Sequence, residues 1–305
     1  MQHDYEIIDA HTHVHGTREA AHAFLSVLAA NRTVSRSGEP QESGEMMQQG
    51  GIKKTLILPW VFGKQVVAQR VEALGPKATP DQKERVKHQV GIQWSAYNQW
   101  AVLAGKRFDG RYASLVAIDP VLMGEDWARQ EIGKRVAQGA LGLKIVPFTM
   151  EAFPHDDRMA VVWEEANRRG LPVVSQSGGR VGPNEFAHPM HFEAILKTYP
   201  KAKVVLAHIG MGAEEEVARL TVRYPNLYTD TSYWLGLVGK PGGRSLKEAA
   251  GLFRSIGTDR VIFGTNYPIC DPLEFVQVML NMPLTESERR QIFSQNYRQV
   301  YADAI

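Results

Sequence analysis

Eight short runs of apolar, largely β-branched residues recur along the chain, at 5–11, 54–60, 112–118, 141–146, 171–177, 202–208, 227–231 and 260–264. Each is nearly continuous rather than alternating, the pattern of strands buried on both faces in a helix-covered parallel sheet. Between most of them lie stretches with helical periodicity, at 125–138, 157–169, 192–198, 213–224 and 245–256. Pro and Gly punctuate the joins, as in Arg169-Gly170-Leu171-Pro172 ahead of the fifth run. A capping box, Thr285-Glu286-Ser287-Glu288, opens a closing helix toward Tyr301. Eight strands with intervening helices predict an α/β fold, a single (β/α)₈ TIM barrel over residues 1–305. The rival is a doubly wound open sheet, whose first strand usually leads into a Gly-rich turn; here it ends in His11-Thr12-His13. Residues 62–88, with Gly75-Pro76 and Thr79-Pro80, break the rhythm and are expected to form an irregular insertion over the barrel mouth.

Composition narrows the function classes. Hydrophobic residues at 44% and charged residues at 22% are globular averages, which excludes wholesale disorder and collagen-like repeats. The balance of 35 Lys+Arg against 33 Asp+Glu gives no reason to expect a nucleic-acid or membrane partner. The lone Cys270 excludes an internal disulfide and a Cys-based zinc cluster, fits a reducing compartment, and is expected to act as a buried small hydrophobe. The N-terminus lacks the basic and apolar regions of a signal peptide, and no run approaches the ~18 apolar residues of a spanning helix. The expectation is a cytoplasmic protein with a small-molecule substrate, its homo-oligomeric state left open.

Barrels carry their chemistry at the C-terminal ends of the strands. The first strand ends Asp9-Ala10-His11-Thr12-His13, and strict alternation places Asp9, His11 and His13 on the inward side. Two imidazoles about 7 Å apart along a strand can converge on one metal ion. Other strand ends are also polar: Lys144 in the fourth, Gln176 in the fifth, His208 in the sixth, Asn266 in the eighth. Polar groups in buried runs cost free energy unless paired, so five such ends suggest one shared site. Trp60, Arg180 and Tyr233 follow the second, fifth and seventh strands; the arginine suits a substrate carboxylate and the aromatics a planar ring. His155, His188 and His191 lie on or near the same loops and read as surface histidines.

The strings DAHTH, GLKIVP, LPVVSQSG, VVLAHIG and RVIFGTNYP, in order and at barrel spacing, resemble the amidohydrolase superfamily. The branch they are most similar to is the amidohydrolase-2 group, which includes aminocarboxymuconate-semialdehyde and resorcylate-type decarboxylases and pyrone dicarboxylate lactonases. The closing SQNYRQVY is similar to that group's terminal helix, with Asn296 at its Asn position. The resemblance makes His11 and His13 the first-strand metal ligands, and His208 the histidine that contacts substrate or the activated water. Two positions depart from the pattern: Gln176 stands where the group usually has His, and Asn266 where it has a metal-binding or basic Asp.

An amide is a weak neutral ligand and takes no proton near pH 7. The expected cofactor is therefore none, or one weakly bound divalent ion such as zinc at His11 and His13. Three readings remain open: a metal-free enzyme, a barrel that binds without turnover, and an engineered Asp→Asn change at Asn266. In the first, His208 or one of the His11/His13 pair acts as base, with Asp9 as an orienting carboxylate, and Lys144 polarises a carbonyl or binds a carboxylate. The leading expectation is hydrolysis of a lactone-like ester of a carboxylated ring. Non-oxidative decarboxylation of an aromatic or muconate-type acid is the alternative.

Overall fold

The computed structural model describes residues 4–28, 36–178 and 184–302. Eight parallel strands pair in chain order: β1 (Ile7–Thr12), β2 (Ile52–Ile57), β3, β4 (Leu143–Ile145), β5 (Pro172–Ser175), β6 (Lys203–Leu206), β7 (Leu227–Asp230) and β8 (Val261–Ile262). Strand β3 is split at Leu115 into Tyr112–Ser114 and Val116–Ala117. There the ladder changes partner: Leu115 N donates to Ile57 O on β2, and Val116 N to Gly142 O ahead of β4. The barrel closes where the segment after β8 meets β1. Ala10 N donates to Phe263 O, Asn266 N to His11 O and His13 N to Tyr267 O, at 2.9, 2.8 and 2.7 Å. Each strand overlaps one of the eight apolar runs, β1 ending one residue past its run and β2 starting two residues ahead of its own, and the chain forms a TIM barrel.

The near-continuous hydrophobicity follows from two cores. Ile8, Leu56, Leu115, Val174, Val205, Tyr228 and Ile262 fill the barrel with Tyr297, Val300 and Tyr301 of the terminal helix Asn296–Tyr301. Their sequence neighbours, among them Ile7, Ile57, Val173, Val204 and Val261, face the surrounding helices. Asn296 holds the terminal helix against β8 by donating to Thr258 O and Val261 O at 2.7 and 2.6 Å.

Residues 62–88, expected as an irregular insertion, hold helical segments at 63–73 and 80–88 joined by a turn. Helices α1 (Arg18–Leu28) and α2 (Pro40–Gly50) follow β1; α3 (Gly63–Ala73) and α4 (Pro80–Arg107) follow β2. Thr79 starts α4 with a full capping box: its hydroxyl accepts from Gln82 N, and its own N–H donates to the Gln82 side chain. The Gly and Pro pairs mark the turn between two helices. No helix among the described residues is long and apolar enough to cross a membrane.

Candidate active site

Six strand ends converge at the C-terminal mouth. The His11 ring centroid lies 5.2 Å from those of both His13 and His208. All three imidazoles are anchored through Nδ1. His11 Nδ1 is 2.9 Å from Asp230 Oδ2, His13 Nδ1 is 2.8 Å from Leu58 O, and His208 Nδ1 is 2.9 Å from Ser232 O. Carbonyl and carboxylate oxygens only accept, so each Nδ1 carries the proton and each Nε2 keeps a lone pair.

Asp230, at the end of β7, organises the cluster. Its Oδ1 accepts from His208 N, Ser232 N and the Ser232 hydroxyl, while Oδ2 holds His11. Its carboxyl is held well below the usual range: burial works against ionisation, but His11, His208 and Ser232 outweigh it. The sequence reading missed Asp230 and assigned the orienting role to Asp9. The available signal was an Asp inside a buried apolar strand, Leu227-Tyr228-Thr229-Asp230.

Asp9 does something else. It accepts from Thr265 N, Thr265 Oγ1 and His11 N at 2.9, 2.5 and 3.2 Å, and burial raises its pKa to about 7. Strict alternation fails here because the β1–β2 register shifts between Asp9 and Thr12. Ala10 packs in the inner core while His11, one residue on, reaches Asp230. Such an irregularity re-aims a side chain, and here it delivers the imidazole.

Burial governs the basicity of the site. His208 is pushed down to about 3 by desolvation, with His11 adding to the shift, and desolvation also lowers His11 and His13. Lys144 is 2% exposed on β4, and burial lowers its pKa to about 8 against an opposing pull from Asp230. It lines a small cavity with Trp60, Ile118, Val146, Thr149 and Met150.

Local strain concentrates at the same place. His208 (φ 63°), Ile209 (φ 53°), Tyr233 (φ 58°) and Asn266 (φ 71°) are left-handed, a conformation costing roughly 1–3 kcal/mol per non-glycine residue. Tyr233 packs edge-on to His208 at 6.2 Å. Trp60 stands 5.6 Å from His13 within an aromatic wall that includes Phe24, Phe62 and Phe148. Among the described residues its indole N–H has no acceptor. Gln176 is half-buried just past β5. Arg180 lies outside the described residues. His155, His188 and His191 gather around Phe153, with no contact to the barrel imidazoles among the described residues. Cys270 is half-buried against the helix-facing core.

The donor set does not fit a tight metal centre. Among the described residues no group of three His, Cys, Asp or Glu side chains is arranged to hold an ion. His13 Nε2 instead lies 3.1 Å from Oδ1 of the Asn266 amide. Since Nε2 is an acceptor, the amide's N–H, isosteric with that oxygen, completes the pair.

A parallel barrel with histidines gathered at its C-terminal mouth defines a class of small-molecule enzyme, and comparison places the chain within that class. A family model described as amidohydrolase matches residues 8–302. The chain belongs to the amidohydrolase family, in its amidohydrolase-2 branch. No curated relative matches it. Among solved structures it is similar to an uncharacterised TIM-barrel protein from Bordetella bronchiseptica, at 18% identity, 97% and 98% coverage of the two chains and a TM-score of 0.71. It is also similar to 5-carboxyvanillate decarboxylase from Sphingomonas paucimobilis, at 14% identity, 99% and 100% coverage and a TM-score of 0.67. A third is a dihydroxybenzoic acid decarboxylase from a Polaromonas species with bound manganese and the inhibitor 2-nitroresorcinol, at 14% identity, 98% and 97% coverage and a TM-score of 0.71. Similarity at these identities speaks for the fold.

Proposed function

We propose that the protein removes carbon dioxide, without oxidation, from a small aromatic or muconate-type acid. This reverses the order of the sequence expectations. The observation that carries it is the charge arrangement. A buried lysine acts electrostatically on three imidazoles whose basicity burial lowers, and the carboxylate among them, Asp230, is already saturated by His11, His208 and Ser232. Such a site attracts an anionic substrate yet offers no strong base to activate water. An imidazole with a pKa near 3 takes a proton from water poorly, which weighs against the hydrolytic route. The solved decarboxylase structures that share the fold fit the same reading.

In this reading Lys144 draws in the carboxylate, Trp60 and Tyr233 bracket the planar part of the substrate, and the Trp60 N–H meets an oxygen on it. Gln176 and Arg180 are proposed as further substrate contacts at the β5 end. A divalent ion at His11 and His13 is proposed only as a weak occupant, and no step is routed through it.

One observation favours lactone hydrolysis as a second reading: His208 is oriented through Nδ1 by Ser232, leaving Nε2 as an acceptor, the geometry of a general base. The two are separated by offering the purified protein 5-carboxyvanillate, 2,6-dihydroxybenzoate and a pyrone dicarboxylate lactone. Carbon dioxide from either acid supports decarboxylation. Ring opening with incorporation of one labelled water oxygen and no carbon loss transfers the assignment to hydrolysis.

A further inference from the structure

We propose that Lys144 is a nucleophilic amine that forms an imine with a carbonyl group of the substrate, which makes the substrate a 3-oxo acid, its carboxylate one carbon removed from the carbonyl. This rests on the decarboxylase reading and sharpens it by naming the substrate's second functional group. The argument starts from the electrons. When a carbon–carboxylate bond breaks, its electron pair must move onto an acceptor, and a metal ion or a protonated imine can serve. The donor set here does not suit a tightly held ion. An amine does stand at the mouth. Lys144 is on β4, in register with Ala117 and Val174, and its side chain is buried against the cavity that also touches Trp60, Val146 and Met150.

Asp119 lines the same cavity, yet among the described residues neither it nor any other carboxylate is joined to this amine in an ion pair, and Asp230 is the carboxylate whose charge it feels. Asp230 acts on it only through space, because both Asp230 oxygens are committed to β1, β6 and β7 groups. A buried lysine without a partner carboxylate is a poor structural device, since its charged form is desolvated without compensation. The same desolvation is what frees a lone pair. Burial brings its pKa to about 8, so at pH 8 its neutral fraction exceeds that of an ordinary lysine roughly a hundredfold.

The chemistry balances. The neutral Nζ adds to the carbonyl carbon; the carbinolamine takes up a proton and loses water, leaving an iminium. The bond to the carboxylate carbon breaks, its electron pair forms an enamine, and carbon dioxide departs. A proton from solvent adds to the enamine carbon. Water then hydrolyses the iminium, returning the amine, the proton taken up in its formation and a carbonyl product one carboxylate shorter. Across the cycle one carboxylate and one proton yield carbon dioxide and a carbon–hydrogen bond.

The test uses the unmodified full chain with acetoacetate as probe and cyanoborohydride as trap, followed by intact mass and peptide mapping. The expected result is one reduced adduct per chain on Lys144, formed far faster than on any exposed lysine. Lys144→Arg, which keeps the charge and removes the nucleophile, is expected to lose that adduct. Adducts scattered over exposed lysines with Lys144 unmodified overturn the proposal, and because this is read on the unmodified chain it holds even if the arginine variant does not fold. Carbon dioxide release from the aromatic acids without trapping removes the imine and leaves decarboxylation standing. Trapping at Lys144 without carbon dioxide release from any acid supports the imine and removes decarboxylation.

Discussion

At the scale of single residues, Lys144 sets function against stability. Its folded pKa of about 8 lies below the ordinary 10.5, so between those values the unfolded chain binds the extra proton and stability rises with pH. At pH 7 the folded state carries a desolvated ammonium. Lys144→Met is therefore expected to raise stability by about 3 kcal/mol at pH 7, and by progressively less as the pH rises from about 8, while abolishing turnover. Urea titrations at pH 7 and 10 check this; a destabilised variant at pH 7 would contradict the account.

Asp230 has the opposite sign. Its lowered pKa contributes stability above the normal carboxylate range, lost as pH falls through the folded value. Asp230→Asn leaves His11 without its anion and is expected to reduce kcat about a hundredfold or more with the fold retained, read by kinetics alongside circular dichroism. The metal expectation sits at this scale too. Protein purified without added metal should hold well under one equivalent of divalent ion, and Gln176→His with Asn266→Asp should bring occupancy near one by elemental analysis. A full equivalent in the unmodified chain after dialysis against chelator would show that two imidazoles and an amide suffice.

The residues legible in the sequence, His11, His13, Lys144, His208 and Asn266, end strands at which a polar side chain interrupts an apolar run. Asp230 escaped because it sits between Thr229 and Thr231, where another small polar residue draws no notice. Its role depends on a partner 219 positions away.

At the scale of elements, local patterns located every strand but not the way β1 turns its side chains. Hydrophobic runs reveal two-sided burial; a register shift leaves no mark in composition, and alternation misplaced Asp9 for that reason. Helices α3 and α4 were obscured because their outer portions bury little, so apolar periodicity is weak where Pro and Gly are most visible. The junction of β1, β7 and β8 is the element-level vulnerability. A Cβ on Gly264 would meet His11 Cβ at 2.8 Å and Ser232 Cβ at 3.5 Å. Gly264→Ala is expected to cost about 1–3 kcal/mol and to impair turnover well beyond that loss, because His11 and Ser232 must shift. Thermal melts and kinetics on one preparation distinguish the two effects, and full activity in the variant would contradict the tight packing.

For the whole molecule, the eight-strand count and the closing helix were readable, whereas the closure of β8 onto β1 is a long-range property. The terminal helix seals the barrel interior: Tyr297 is fully buried among inward residues of several strands. Tyr297→Ala is expected to cost about 3–5 kcal/mol, measured by urea unfolding, although it lies at the opposite end of the inner core from the imidazoles.

The hydrogen bonds that fasten the last strand to the first run through His11, His13 and Asn266 themselves. Asp9 and Thr265 join across 256 positions at the same place. Those contacts have the longest loop to close, so they belong to the late stages of folding. Turnover consequently works as an integrity check on the polypeptide. A ribosome that has not yet released the final strand, or a protease that has clipped it away, leaves a chain with nothing for a substrate to find.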